Sequence, residues 1–199
     1  MESALVTGLF LPDRVEGEVV PLIVLVPGGG WATADPTGLI PLARHLTSLG
    51  AAVSVITYRA GDDGVYFPDQ PADVACAINE SASAARDIGL SVGEVTVVGH
   101  SAGAHLTSLV ALRPDAFSAA CGYSLVAPDH FVGIAGPYDV TQAARFAGAL
   151  FGPDNTDPAG WVEANPVEHA HERPELDVLL IHGRADITVP MEFTDTFAV

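Results

Sequence analysis

The chain has 199 residues, a length that suits one domain and allows about 70% of the surface of the unfolded chain to be buried. Its formal net charge is −17 and all eight basic residues are arginines, so its electric field repels nucleic acid and anionic lipid. Apolar residues make up 49% of the chain, but no uninterrupted run approaches the about 18 residues that a membrane span needs. We therefore expect a soluble globular protein with neither nucleic acid nor a membrane as its partner.

The N-terminus and the cysteines bear on location and on covalent links. Glu2 stands where a secretory signal would carry positive charge, and no long apolar segment follows it, which favours a cytoplasmic protein. Cys76 and Cys121 form no CxxC pair and have no histidine at ligand spacing. We therefore expect neither a disulfide nor a metal site, and we interpret both cysteines as buried small apolar side chains.

Short apolar runs alternate with segments of helical period, which is the pattern of parallel strands joined by crossover helices. The predicted strands, in chain order, cover residues 5–11, 22–26, 52–57, 94–98, 131–135 and 178–181. The predicted helices cover residues 36–49, 72–88, 102–112 and 140–150, and residues 191–199 resemble part of another helix. Residues 59–71 are predicted to form a loop and residues 151–160 a surface excursion. The pattern predicts a single α/β domain over residues 1–199.

The segment Gly99-His100-Ser101-Ala102-Gly103 is the candidate nucleophile motif. An apolar strand precedes it and an alanine-rich helix follows it, which is the strand, sharp turn and helix that a nucleophile elbow requires. On such a turn the Ser101 hydroxyl projects from the carboxyl edge of the sheet, and the Ala102 N–H can stabilise an oxyanion. The alternative is a tight turn with a serine that takes no part in chemistry.

The three glycines Gly28, Gly29 and Gly30 follow the second predicted strand. A glycine-rich loop at this place supplies the second half of an oxyanion hole in such folds, so the Gly29 and Gly30 amides are candidate donors. An ordinary turn is the alternative. Trp31 is a candidate for lining the substrate pocket, and a core or lid contact explains it equally well.

Several motifs share one order along the chain: Gly28-Gly29-Gly30-Trp31, Tyr58-Arg59, Phe67-Pro68 with Asp73, Gly99 to Gly103 with His105, Gly136-Pro137-Tyr138-Asp139, and His182-Gly183-Arg184-Ala185-Asp186 with Val189-Pro190. In these the chain resembles the α/β-hydrolases, specifically the esterase and lipase branch with an HGGG loop, including bacterial feruloyl or acetyl esterase-like and kynurenine formamidase-like members. The resemblance implies a mostly parallel sheet with helices on both faces, and Asp186 as the acid of a catalytic triad. Pro27 stands where that family usually has histidine.

The other acidic and imidazole groups in these motifs are interpreted as structural. Asp73 is expected to pair with Arg59, and Asp139 matches a family position without a catalytic role. His100 is expected to point beneath the sheet, and His105, one helical turn after Ser101, to be packed in the core.

A base for Ser101 is missing from the expected place. In this fold the chain order is serine, acid, histidine, but no histidine follows Asp186. Three explanations stay open: a C-terminally truncated chain without the last helix and strand, a non-catalytic relative, or a base from elsewhere in the chain. Truncation is favoured because Asp186 and the glycine loop are retained, and it leaves the strand before Asp186 as an exposed sheet edge.

The predicted function is hydrolysis of a small-molecule carboxylic ester through an acyl-enzyme on Ser101, with no cofactor. The 199-residue chain itself is expected to be nearly inactive for want of the histidine. Amide hydrolysis, as in arylformamidases or peptidases of similar fold, is one alternative. A ligand-binding relative that turns nothing over is the other. The oligomeric state stays open.

Overall fold

Six strands form one sheet in the order β1-β3-β2-β4-β5-β6 in the computed structural model, which describes residues 5–13, 18–118, 121–143, 147–153 and 158–198. The strands are β1 (Val6–Phe10), β2 (Val19–Val26), β3 (Ala52–Ile56), β4 (Ser91–His100), β5 (His130–Ile134) and β6 (Asp177–Ile181). Only β1 runs antiparallel to its neighbour, and the other four pairings are parallel. The mostly parallel sheet is therefore as expected.

Helices pack on both faces of this sheet. They are α1 (Ile40–Ser48), α2 (Asp69–Asp87), α3 (Ala102–Leu112), α4 (Pro114–Phe117), α5 (Ala147–Phe151), α6 (Pro158–Glu163), α7 (Pro166–His169) and α8 (Glu192–Phe197). On one face, α1 covers Leu25 and Val53. On the other, α2 and α3 enclose the larger core around Leu22, Val24 and Val97. No described helix has both the length and the apolar character needed to cross a membrane.

Among the described residues, no helix covers the other half of the sheet face on which α1 packs, which we call the bare half. The register sets Val98, Val132 and Leu179 in one row across β4, β5 and β6. Leu179 is 55% exposed and Ile181 48%, although an apolar run of this kind is typical of a strand buried on both faces. The outer edge of β6 pairs with no described strand. The expectation that the strand before Asp186 forms an exposed edge is thus confirmed.

The prediction of a helix over residues 140–150 was wrong at its start. Asp139 accepts hydrogen bonds from the backbone N–H and the hydroxyl of Thr141 and from the amide of Gln142. These local bonds hold residues 141–143 in turns, and the next described helix covers Ala147–Phe151. Residues 144–146 lie outside the described part.

Other boundaries differ by a few residues. Helix α2 begins at Asp69 rather than at residue 72, and β4 starts three residues before its predicted first residue, 94. The short helices α4, α6 and α7 were not predicted, and each begins with a proline at its first position, which its fixed φ favours. Of the predicted excursion at 151–160, residues 154–157 lie outside the described part and the last three belong to α6.

The expectation of two unpaired cysteines was also wrong. Cys76 and Cys121 form a disulfide, with their Cα atoms 5.2 Å apart. It joins α2 to the segment beyond α4 across 45 positions of sequence. The spacing of the two cysteines carries no sign of this pairing, because only the packing of α2 on that segment brings them together.

Candidate active site

Ser101 lies on a sharp turn between β4 and α3. Its backbone has φ 53° and ψ −124°, a left-handed conformation that costs a non-glycine residue about 1–3 kcal/mol. The surrounding bonds hold it there: the Ser101 N–H donates to the Ile134 carbonyl at 2.8 Å, and the Ala104 N–H donates to the Ser101 carbonyl at 2.9 Å. Ser101 therefore lies on a turn with a strand before it and a helix after it, which is the local structure that the sequence predicts.

Glycines allow the loop after β2 to touch this turn. A Cβ atom on Gly28 would lie 2.9 Å from the Cβ of Ser101. One on Gly103 would lie 2.7 Å from the Val26 carbonyl oxygen and would collide with that of Pro27. The two backbones are consequently in direct contact, which no larger residue at these positions would permit.

The loop itself has three consecutive residues with positive φ: Gly29 (145°), Gly30 (61°) and Trp31 (60°). The Gly29 carbonyl accepts hydrogen bonds from the N–H groups of Ala32 and Thr33, each at 3.1 Å, which closes the turn. Trp31 is the exception among the three, since a bulky residue rarely adopts this conformation. Its side chain and its carbonyl must therefore be held by other parts of the fold.

A cavity of about 590 Å³ opens beside Ser101, within the range of small-ligand sites. Four of the predicted site residues line it: Gly30, Trp31, Ser101 and Ala102. Gly29 is not among the lining residues. The opposite wall comes from the loop after β6, from α8 and from the turns after β5, through Pro137, Gln142, Ala143, Thr188, Val189, Pro190, Glu192 and Phe193. The cavity is thus mainly apolar, with polar groups from few side chains.

Asp186 lies on the loop after β6, behind the cavity wall. One oxygen of its carboxylate accepts hydrogen bonds from the backbone N–H groups of Val189 (3.0 Å) and Thr188 (2.8 Å), and these bonds lower the pKa of Asp186. Its side chain is 26% exposed. The carboxylate is therefore ionised at neutral pH, and Thr188 and Val189, rather than Asp186, reach the cavity.

His182 holds the loop after β6 through hydrogen bonds of both its ring nitrogens. Its Nε2–H donates to the Val189 carbonyl at 2.7 Å, and its Nδ1 accepts from the Thr194 hydroxyl at 2.6 Å. Nε2 also lies 3.9 Å from an Asp186 carboxylate oxygen. Both ring nitrogens have partners in a side chain that is almost fully buried, so His182 has none free to act on Ser101. This role was not predicted from the sequence.

His105 is buried at the start of α3, as expected. The Trp31 indole N–H donates to its Nδ1 at 3.0 Å, and its Nε2–H donates to the Ala164 carbonyl at 2.7 Å. Burial lowers the pKa of His105 to about 4. It is therefore neutral at pH 7, with both nitrogens in use.

His100 lies on the sheet face that α1 covers, as expected, but on its bare half, so its ring is exposed rather than buried. Its Nδ1 lies 3.0 Å from the place that a Cβ on Gly28 would take. Among the residues that the structure describes, no histidine forms a hydrogen bond with the Ser101 hydroxyl.

The acidic residues interpreted as structural are placed accordingly. Asp73 pairs with Arg59 through two side-chain contacts, 2.7 and 2.8 Å long, and accepts the Arg59 backbone N–H as well. Asp139 is occupied by the turn that follows it, and hydrogen bonds from Thr141 and Gln142 lower its pKa despite partial burial.

Gln70 is a residue of the site that the sequence did not reveal. It is fully buried on α2, and its amide nitrogen contacts the carbonyl oxygens of Val65 (2.9 Å), Trp31 (3.0 Å) and Ala149 (3.1 Å). The Gly61 N–H also donates to the Trp31 carbonyl, at 2.8 Å. These bonds hold the backbone of Trp31. Gln70 fell within the predicted loop, so only a polar side chain between two prolines marked the position.

A mostly parallel sheet with a serine on the turn after a central strand, facing a glycine loop, defines an α/β-hydrolase. The BD-FAE family model matches residues 8–198, and the chain belongs to that family. The resemblance to esterases of this fold is therefore confirmed.

Named relatives agree with this assignment. The probable carboxylic ester hydrolase LipM of Mycobacterium tuberculosis is 29% identical over 197 residues, which cover 91% of this chain and 44% of LipM. Esterase LipQ of the same organism is 28% identical, over 94% of this chain and 47% of its own length. The chain thus spans about half the length of the curated relatives it matches.

Solved structures share the fold. An acetyl ester-xyloside bifunctional hydrolase from Caldicellulosiruptor lactoaceticus has a TM-score of 0.78 and 23% identity, covering 96% of this chain and 70% of that one. A truncated carbohydrate esterase from gut microbiota has a TM-score of 0.82 and 21% identity, covering 96% of this chain and 75% of that one.

Proposed function

We propose that this protein hydrolyses small-molecule carboxylic esters with Ser101 as its nucleophile. The observation that carries the proposal is the meeting of Ser101, Ala102 and Gly30 at one cavity, at the carboxyl ends of the central strands. The Ser101 oxygen attacks the ester carbonyl carbon while its proton passes to a base. The alcohol then leaves with a proton, and water releases the acid from the acyl-enzyme.

The oxyanion of each tetrahedral intermediate would be stabilised by backbone amides. Ala102 begins α3, where N–H groups have no partner within the helix, and its N–H faces no acceptor among the described residues. The Gly30 and Gly29 amides lie on the loop that touches the Ser101 turn. Each such donor is worth about 3 kcal/mol of transition-state stabilisation.

Asp186 is proposed as the acid that orients the base, and the base itself is proposed to lie outside the described histidines. His105 and His182 have both ring nitrogens bonded. A polypeptide segment paired with the free edge of β6 would run beside the Asp186 loop, so it is the favoured source of the missing imidazole. Loss of the base lowers kcat by up to about a millionfold in a serine triad.

Chemical rescue by imidazole tests both the role of Ser101 as nucleophile and the proposal that its base is missing. Hydrolysis of p-nitrophenyl acetate and labelling by a fluorophosphonate are each compared between the purified chain and Ser101→Ala, with and without added imidazole. We expect slow hydrolysis that imidazole raises more in the wild type than in Ser101→Ala, and labelling of the wild type alone. Absence of both would contradict the function and favour a ligand-binding role. Rapid hydrolysis without imidazole, lost in Ser101→Ala, would contradict only the missing base.

A cytoplasmic location remains a prediction, and the disulfide counts against it, because oxidising compartments are where such bonds persist. Fractionation of the producing cells, with alkylation of free thiols before lysis, decides between the two. Free Cys76 and Cys121 in the cytoplasmic fraction would support the prediction.

A further inference from the structure

Trp31 links the glycine loop to the interior of the protein. It directly follows Gly30, which lines the cavity, and it adopts φ 60°. Since few bulky residues stay in that conformation unaided, the contacts of Trp31 decide where the Gly30 amide points. Gln70 and Gly61 hold its carbonyl, which leaves the indole as the third point of attachment.

The indole is attached to His105 and to no other described polar group. The Trp31 N–H donates to His105 Nδ1 at 3.0 Å, with the two rings perpendicular and their centroids 5.2 Å apart. Because an indole only donates, Nδ1 must be the unprotonated nitrogen of the imidazole. The other nitrogen then carries the proton and donates to the Ala164 carbonyl at 2.7 Å. The contacts thus fix a single tautomer.

The same residue is joined to the nucleophile through its backbone. The His105 N–H donates to the Ser101 carbonyl at 3.2 Å, one helical turn back. On the far side, Ala164 precedes Asn165, whose side-chain oxygen accepts the Val140 N–H beside the cavity wall. His105 therefore connects the Ser101 turn, the glycine loop and the wall formed after β5.

We propose that His105 is a positioning residue, which sets the distance between the Ser101 hydroxyl and the Gly30 amide through its bond to the Trp31 indole. This inference rests on the proposed function. It assigns His105 a role beyond filling the core, since an apolar side chain would fill the same space without the cost of burying two polar nitrogens.

Two variants with amide side chains, His105→Asn and His105→Gln, test the two hydrogen bonds of the His105 imidazole one at a time. The side-chain oxygen of His105→Asn lies near the place of Nδ1, so this variant keeps an acceptor for Trp31 and loses the bond to Ala164. His105→Gln reaches the place of Nε2, so it keeps the bond to Ala164 and loses the acceptor for Trp31. Thr107→Val is the matched control, because Thr107 is buried on the same helix and its hydroxyl has no partner among the described residues.

The kinetic readout is p-nitrophenyl acetate hydrolysis with imidazole present. We expect His105→Gln to lower kcat about 10- to 100-fold with KM changed less than about threefold, because the oxyanion donors act on the transition state. His105→Asn is expected to recover kcat to within about threefold of the wild type, and Thr107→Val to leave it unchanged. Equal kcat for the Asn and Gln variants, or a loss confined to KM, would overturn the proposal.

Fluorescence tests the bond without turnover. The chain has two tryptophans, so a Trp161→Phe background leaves Trp31 as the only indole. There, His105→Gln should at least double the acrylamide quenching of Trp31, while His105→Asn should not. Identical quenching in the two would overturn the proposal. If Ser101 proves inert in every variant, the proposed function fails, and the quenching alone decides whether His105 holds the loop.

Discussion

Gly28 lies so close to Ser101 that a Cβ added to the glycine would come within 2.9 Å of the serine Cβ. It would also lie 2.9 Å from the His100 carbonyl oxygen and 3.0 Å from the His100 Nδ1, so the added carbon would crowd three atoms at once. The glycine loop and the serine turn are consequently one packed unit, and a change in either should move the other.

With imidazole present, Gly28→Ala should therefore slow the labelling of Ser101 by a fluorophosphonate at least about tenfold, and it should cost about 1–3 kcal/mol of unfolding free energy. The reason is that the loop must retreat from the turn. Gly38→Ala is the control, because a Cβ there meets nothing within 4 Å and its φ is not positive. Labelling of Gly28→Ala at the wild-type rate would show that the loop does not act on Ser101.

Removal of the disulfide should destabilise the fold. Closing a loop of 45 residues is worth about 4 kcal/mol by loop entropy, so Cys76→Ser with Cys121→Ser should lower the unfolding free energy by up to that amount. Urea unfolding measures it. Dithiothreitol should shift the wild-type midpoint and leave that of the double variant unchanged. An unshifted wild type would mean that the pair contributes nothing to stability.

Acid should weaken the fold through His105. Burial holds its pKa at about 4, against 6.5 in the unfolded chain, so between these values the unfolded state binds more protons. The stability that depends on a neutral His105 is complete above pH 6.5 and is lost as the pH falls towards 4. Between pH 7 and pH 5 the wild type should lose about 2 kcal/mol more than His105→Asn does in urea unfolding. Equal losses of unfolding free energy in the wild type and in His105→Asn would mean that a group other than His105 takes up the protons.

The bare half of the sheet should promote self-association. Leu179→Lys places a charge on the exposed row, so light scattering should fall while the unfolding free energy changes by less than about 0.5 kcal/mol. Its neighbour Leu180 packs against the larger core, and Leu180→Lys should cost more than about 1 kcal/mol. Scattering of Leu179→Lys that equals the wild type would locate the contact on another surface.

The sequence predicted those features that depend on short stretches of chain. Helix α3 runs from Ala102 to Leu112 as predicted, because strand, glycine, serine and helix follow one another in the sequence itself. The central strands were recognised for the same reason, since an apolar run between turn residues requires burial on both faces.

Features that join distant segments were missed. The Trp31–His105 bond spans 74 positions and the Gln70–Ala149 bond 79, and no periodicity or motif specifies such a partner. The same is true of the cysteine pair. The error in the helix predicted over residues 140–150 has a local cause. Hydrogen bonds from Thr141 and Gln142 to the Asp139 side chain outweighed the helical spacing of the apolar residues.

The loops that form the candidate site follow strands that differ in how many neighbouring strands they pair with. Ser101 and the glycine loop follow β4 and β2, which have neighbours on both sides, whereas Asp186 follows β6, which has one neighbour among the described strands. Segments with few buried contacts open locally at lower free energy than the core. Deuterium should therefore enter the amides of β6 and the Asp186 loop well before those of β4. On warming, the loop that carries Asp186 would be released while the Ser101 turn and the glycine loop remain in place.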